Sequence, residues 1–392
     1  MNKIIILYVI IFSLFSCSQK SERSIKEIKV NPYRAIDKMN LSEFVKSIDY
    51  IKLETNSDCI LGRISKVLIR NKFIYVFDQS QLSVFIFDHN GKFISKFNKW
   101  GNGPGEYRSL GPGFISQDEK YIEIYDFRGP DSRMLKYRNL SFEFINESPI
   151  PGLSFNSMIR KNGYYYFSVQ QQDNVINGNL TNADLIISDT NNNMKIYNDK
   201  TIETNSNYYS FFPHSFISNS QNEVFVSFMF DHTFYKLEQD KVIPEIKIDF
   251  GDYAIGNDVM HLSTNDQLAY FRNNNDIAYF PVLNISTDMF FCFTYLIKAG
   301  NDQHLNHYII FKENGKTWHV NKIVNDITEF PSEVNLSINH AVGNDGIYKD
   351  NLIDIIIPSE YLEKDEDKVQ FAQLGEISRG DNPIIILMEI KD

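Results

Sequence analysis

The chain has 392 residues, 43% hydrophobic and 14% aromatic, with a formal net charge of −11. That charge, with no Lys/Arg-rich run, argues against a phosphate-backbone partner, so no nucleic acid is expected. The apolar content suffices for a large core. Long β architectures fold as one domain at this length, and 31 Phe and 22 Tyr favour half-buried pleated surfaces.

Lys3 and the apolar stretch from Ile4 to Phe15 read as a targeting signal too short to span a bilayer. Leu14-Phe15-Ser16-Cys17 then resembles a bacterial lipobox. It predicts cleavage of residues 1–16 and acylation, by palmitate-type chains, of the Cys17 thiol. Ser18 in place of Asp predicts delivery to the outer membrane. The polar run that follows makes 17–40 a flexible tether and leaves 41–392 as the folded domain. More than one acyl chain on Cys17 would hold that domain firmly. Cys59 and Cys292 sit among apolar residues and are expected as buried free thiols. No closely spaced cysteine pair supports a zinc site.

Strand signals begin at Tyr50–Leu53, and residues 48–54 are expected to complete a blade begun at the C-terminus. Between residues 64 and 107 come three short strands split by turns, then a glycine-rich crossing. Asp78 and Asp88 close strands, and Asn90-Gly91 marks a hairpin. A second unit runs over 113–150, with Tyr121 to Asp126 matching Phe73 to Asp78. The third runs from Phe155 to Ser188, with Gln170 to Asn182 expected as a long exposed hairpin loop. A fourth covers 215–251. Residues 252–285 look less β-like, with a short helix expected within 257–271. The fifth unit is read from Met289 to Ile323. A sixth takes in Val334 to Ile357 and the closing strand Pro383 to Ile390, and the charged segment Tyr361 to Phe371 is expected to be helical.

Such a unit cannot bury both faces alone, and six units of roughly forty to fifty residues fit a radial ring. The fold class is therefore all-β, a six-bladed β-propeller of four-stranded antiparallel blades. The run Phe73-Ile74-Tyr75-Val76-Phe77-Asp78, then Val84-Phe85-Ile86-Phe87-Asp88, Asn90-Gly91-Lys92-Phe93 and Gly101-Asn102-Gly103-Pro104-Gly105-Glu106-Tyr107, resembles the six-bladed propeller lipoproteins of Bacteroidota, whose blades are similar to NHL repeats. The resemblance implies fold and envelope location rather than an activity.

No catalytic constellation stands out. Gly101 to Tyr107 lacks the Lys-Ser/Thr and following helix of a phosphate loop, so its glycines are read as backbone geometry. His304 and His307 have a His-x-x-His spacing but read as exposed loop residues without further ligands. Four other histidines, 214, 232, 319 and 340, have no triad partner by spacing, and no Gly-x-Ser-x-Gly elbow occurs. No metal or cofactor is expected. Trp100, Tyr107, Arg108, Arg128 and Arg133 cluster around the first interblade crossing, and aromatic faces with Arg forks suit a glycan or protein ligand. The leading expectation is a binding module on a lipid anchor. The alternative is a metal-dependent hydrolase or lyase with its site in the central channel.

Overall fold

The computed structural model describes residues 25–170, 172–199, 216–219, 221–256, 258–259, 262, 264–300, 302–336, 347–348, 351–362 and 367–391. Cys17 and the signal stretch lie outside these residues, as do His214 and His340.

Six sheets, each with a four-stranded antiparallel core, make a six-bladed propeller. Blade 1 is Ile64–Ile69, Ile74–Asp78, Ser83–Phe87 and Phe93–Phe97, innermost strand first. Blade 2 is Gly113–Ile115, Tyr121–Asp126, Arg133–Arg138 and Phe144–Pro149. Blade 3 is Ser157–Lys161, Tyr164–Ser168, Leu185–Ser188 and Met194–Tyr197, and blade 4 is Phe216–Ser218, Val224–Ser227, Thr233–Glu238 and Lys241–Asp249. Blade 5 is Ile277–Ser286, Phe290–Ala299, Asp302–Phe311 and Thr317–Val324. Blade 6 takes Ile347–Tyr348, Asn351–Ile356 and Ile384–Ile390 from the C-terminal end and Val45–Lys52 from the N-terminal end. The pairing of Val45–Lys52 with Ile384–Ile390 closes the ring, as the sequence predicts.

The strand pattern explains the ring. Successive side chains point to opposite faces of a strand, so a strand buried on both faces needs apolar residues at odd and even positions alike. In blade 1, Ile74 and Val76 pack towards Ile355 and Ile385 of blade 6. Their neighbours Tyr75 and Phe77 pack the other way, against Ile122, Ile124 and Leu135 of blade 2. Each seam around the ring holds such a cluster. Full burial of each of these side chains contributes roughly 1.5–3 kcal/mol.

Five expectations are corrected. Residues 26–40 are no free tether. Lys26–Lys29 adds in parallel to the outer strand of blade 4, and Ile36–Asn40 adds in parallel to the outer strand of blade 5. The chain thus walks along the perimeter of blades 4 and 5 before entering blade 6, seating Ile28, Val30, Met39 and Leu41 in the seams. Blade 5 begins at Ile277 rather than Met289, because the ten-residue innermost strand Ile277–Ser286 is buried throughout. The predicted helix over 257–271 is real but runs Thr264–Asn273. Tyr361 to Phe371 is not a helix: a short turn of helix, Pro358–Tyr361, precedes a hairpin of Lys368–Phe371 with Gly375–Ser378. The Gln/Asn-rich insertion of blade 3 does form a hairpin, Asn174–Ile176 with Asn179–Thr181, yet Asn174, Ile176 and Thr181 are buried rather than exposed.

Candidate functional site

Topology makes the two ends of the ring unequal. In four antiparallel strands, the links from first to second and from third to fourth strand lie at one end. The links from second to third strand, and from each blade to the next, lie at the other. At the first end the links are short, such as 70–73, 88–92, 116–120, 189–193 and 312–316. At the other end lie 98–112, 169–184 with its hairpin, 250–276 with its helix, and 357–383 with the second hairpin. Every long connection of the ring therefore belongs to one end.

Within that end, the crossing from blade 1 to blade 2 is organised by a buried carboxylate. Asp126, the last residue of its strand, is fully buried. Its Oδ1 accepts from the backbone N–H of Arg108 at 2.9 Å and of Ser109 at 3.2 Å. Its Oδ2 pairs with Arg128 Nε at 2.6 Å and Arg133 Nε at 3.3 Å. Both guanidiniums also donate to the Glu106 carbonyl, at 3.1 Å and 2.8 Å, and Arg133 pairs with Glu147. Asp78 does the same one blade earlier: it is fully buried and accepts from Gly62 N at 2.6 Å, Gln81 N at 3.0 Å and Ser80 Oγ at 2.6 Å. A carboxylate at the end of a second strand thus satisfies the backbone donors of an interblade crossing that no ladder reaches.

This geometry divides the five predicted ligand residues. Tyr107 is core: it is fully buried, donates to the Leu82 carbonyl at 2.6 Å, and packs against Phe97. Arg128 and Arg133 are spent on Asp126 and Glu106. Trp100 is 63% exposed, and Arg108 is exposed with Nε donating to Asn102 Oδ1 at 2.7 Å. Phe127, which follows Asp126 and is 48% exposed, joins them; its N–H donates to Ser109 Oγ at 3.0 Å. Sequence reasoning missed Phe127, although an aromatic just past a strand-closing Asp was the available signal.

The glycine segment is geometric, as expected. A Cβ on Gly101 would lie 2.0 Å from the Glu106 carboxylate, which also accepts from Gly103 N at 2.7 Å. The interior of the turn is filled by its own anion, an arrangement hostile to phosphate. Gly105 has φ +69° and closes against the Phe144 ring.

His304 and His307 do not form a pair. Both lie in the strand Asp302–Phe311 rather than a loop, and residues three apart in a strand face opposite ways. His304 is exposed, whereas His307 is buried with Nε2 donating to Asn335 Oδ1 at 3.0 Å. Burial pushes the imidazoles of His307 and His232 down, and that of His319 to about 4. No group of three or more His, Cys, Asp or Glu residues able to hold a metal occurs among the described residues. Cys59 and Cys292 are buried free thiols. No helix among the described residues is long and apolar enough to cross a membrane.

Comparison with known families matches residues 26–389 to a domain of unknown function, DUF4934. The chain belongs to that family. The match begins at the first strand along the perimeter, so the family unit includes residues 26–40. Among solved structures, a protein of Bacteroides fragilis inferred to be exported is similar over 94% of this chain and 100% of its own, at 16% identity and a TM-score of 0.65. A DUF4221 member from Bacteroides vulgatus aligns over 89% and 98%, at 11% identity and a TM-score of 0.48. The first similarity shows the fold alone. A comparison with functionally curated proteins finds no match.

Proposed function

We propose that this propeller is a binding module of the cell envelope, anchored to the outer membrane through acylated Cys17, that takes a glycan or protein ligand at its long-connection end. One observation carries the reading: the long connections gather at one end, where Trp100 and Arg108 project from a crossing fixed by buried Asp126 and Phe127 projects from the adjoining link of blade 2. Exposed aromatic faces held on a rigid frame lose little entropy on binding. The lipobox supports the envelope location, and a protein inferred to be exported shares the fold.

Glycan and peptide arrays probed with the full chain would supply a ligand, and calorimetry the affinity. The double variant Trp100→Ala/Phe127→Ala should weaken binding by about tenfold or more. Retention within twofold would reject this end as the site. For the anchor, Cys17→Ala should abolish fatty-acid labelling and release the protein from membranes. A variant still acylated and still membrane-bound would refute the lipobox assignment.

A further inference from the structure

The perimeter strands determine where the anchor meets the ring. Lys26–Lys29 runs parallel to the outer strand of blade 4, with Lys26 opposite Ile246 and Lys29 opposite Asp249. Followed backwards, the chain therefore points along Glu245 to Lys241, towards the seam between blades 3 and 4. Only residues 18–25, eight positions, separate Cys17 from that strand. At about 3.4 Å per extended residue they reach about 27 Å. They include no Gly, Pro, Asn or Asp to turn the chain back, serine being their only turn-favouring type.

A groove opens at that same seam. It is lined by Ile196 and Tyr197 of blade 3 and by Ile243 and Pro244 of blade 4, with Lys195, Asp240 and Lys241 as its charged residues. Ile196 is 42% exposed, Pro244 and both lysines are exposed, and Tyr197 and Ile243 are half-buried. Lys195 pairs with Asp240, while Lys241 extends the positive margin. Apolar side chains, a tyrosine and flanking lysines are the composition that settles at a lipid–water boundary, apolar bodies inward and ammonium groups at phosphate level.

We infer that the seam between blades 3 and 4 rests on the lipid surface, so the propeller stands edge-on to the membrane with both ends of its central opening free. This rests on acylation of Cys17. The short tether holds the ring by its rim rather than by either end. It turns blade 1, opposite blade 4 in a ring of six, away from the bilayer.

The test uses the full acylated chain in vesicles of phosphatidylethanolamine and phosphatidylglycerol. An environment-sensitive dye is placed on Ile196→Cys, Ile94→Cys or Asp58→Cys; the last two positions are exposed on blade 1 and in the link leading into it. Cys59 and Cys292 are buried and leave the introduced thiol as the reactive one. The dye at 196 should shift to the blue and be quenched several-fold by spin-labelled lipid, while dyes at 94 and 58 behave as in water. An acylated, vesicle-bound protein whose dye at 196 stays in water, or whose three dyes respond alike, overturns the edge-on placement. Fatty-acid labelling separates the failures: a chain without acyl label refutes the anchor and this placement together.

Discussion

Replacing Asp126 tests whether the crossing between blades 1 and 2 is held as described. The carboxylate is fully buried and serves two backbone N–H groups and two guanidiniums. In Asp126→Ala, both arginines keep the Glu106 carbonyl, and Arg133 keeps Glu147, so neither charge is wholly abandoned. The loss belongs at the low end of the range for a broken buried pair, about 3 kcal/mol. Two orphaned N–H groups, at about 1 kcal/mol each, raise it to about 5 kcal/mol. Asp126→Asn keeps an acceptor for Arg108 and Ser109 but removes the charge, and should cost about half as much. Urea unfolding reads the total, and amide exchange at Arg108 and Ser109 reads the local part. An Ala variant costing under about 1 kcal/mol, or Asn and Ala variants of equal stability, would refute the reasoning.

Gly113→Ala would place a Cβ 1.9 Å from Phe77 Cε1, in a seam where Phe77 is 1% exposed and has no room to yield. A loss of about 3 kcal/mol is expected, seen as a lower melting temperature; an unchanged one would contradict the close approach. Cys59 and Cys292 should be silent to a thiol reagent in the native protein and both react in urea, so a fast native reaction would contradict their burial. Burial holds His319, which lies with Tyr295 Oη 2.6 Å from its Nε2, at about 4, below its ordinary 6.5. The unfolded chain takes up the proton first, so this contribution is complete above about pH 6.5 and is lost as pH falls towards 4. It amounts to about 2–3 kcal/mol after allowance for partial exposure. His319→Gln should flatten that limb of the stability curve; parallel wild-type and variant curves would exclude His319 as its source.

What the sequence shows and hides follows from how each strand is buried. Blade 1 was legible because Ile74 to Asp78 and Val84 to Phe87 are short apolar runs bounded by an Asp and a hairpin turn. Ile277–Ser286 is buried along its whole length after a helix, so it offers no alternation and no turn to mark its start. The perimeter strands Lys26–Lys29 and Ile36–Asn40 are worse. Each buries a single residue, Ile28 or Met39, and each pairs with a strand more than two hundred positions away. Nothing local distinguishes them from a polar tether; only the edges they cover make them strands.

The candidate site was half legible for a related reason. Arginine and tyrosine serve equally as ligand contacts and as frame, and composition cannot separate the two uses. What separates them is the neighbouring acid. Asp126 closes its strand, and a carboxylate buried there must find donors or leave its charge uncompensated. Arg128 and Arg133, two and seven residues on, are the donors in reach, so their side chains are committed before any ligand arrives. Arg108 contributes only its backbone N–H to Asp126, which fixes the loop and leaves its guanidinium facing solvent. At this crossing Asp126 thus separates the two uses of arginine: Arg128 and Arg133 meet it with their side chains and belong to the frame, whereas Arg108 meets it with its backbone and is exposed, as is Phe127, which follows it.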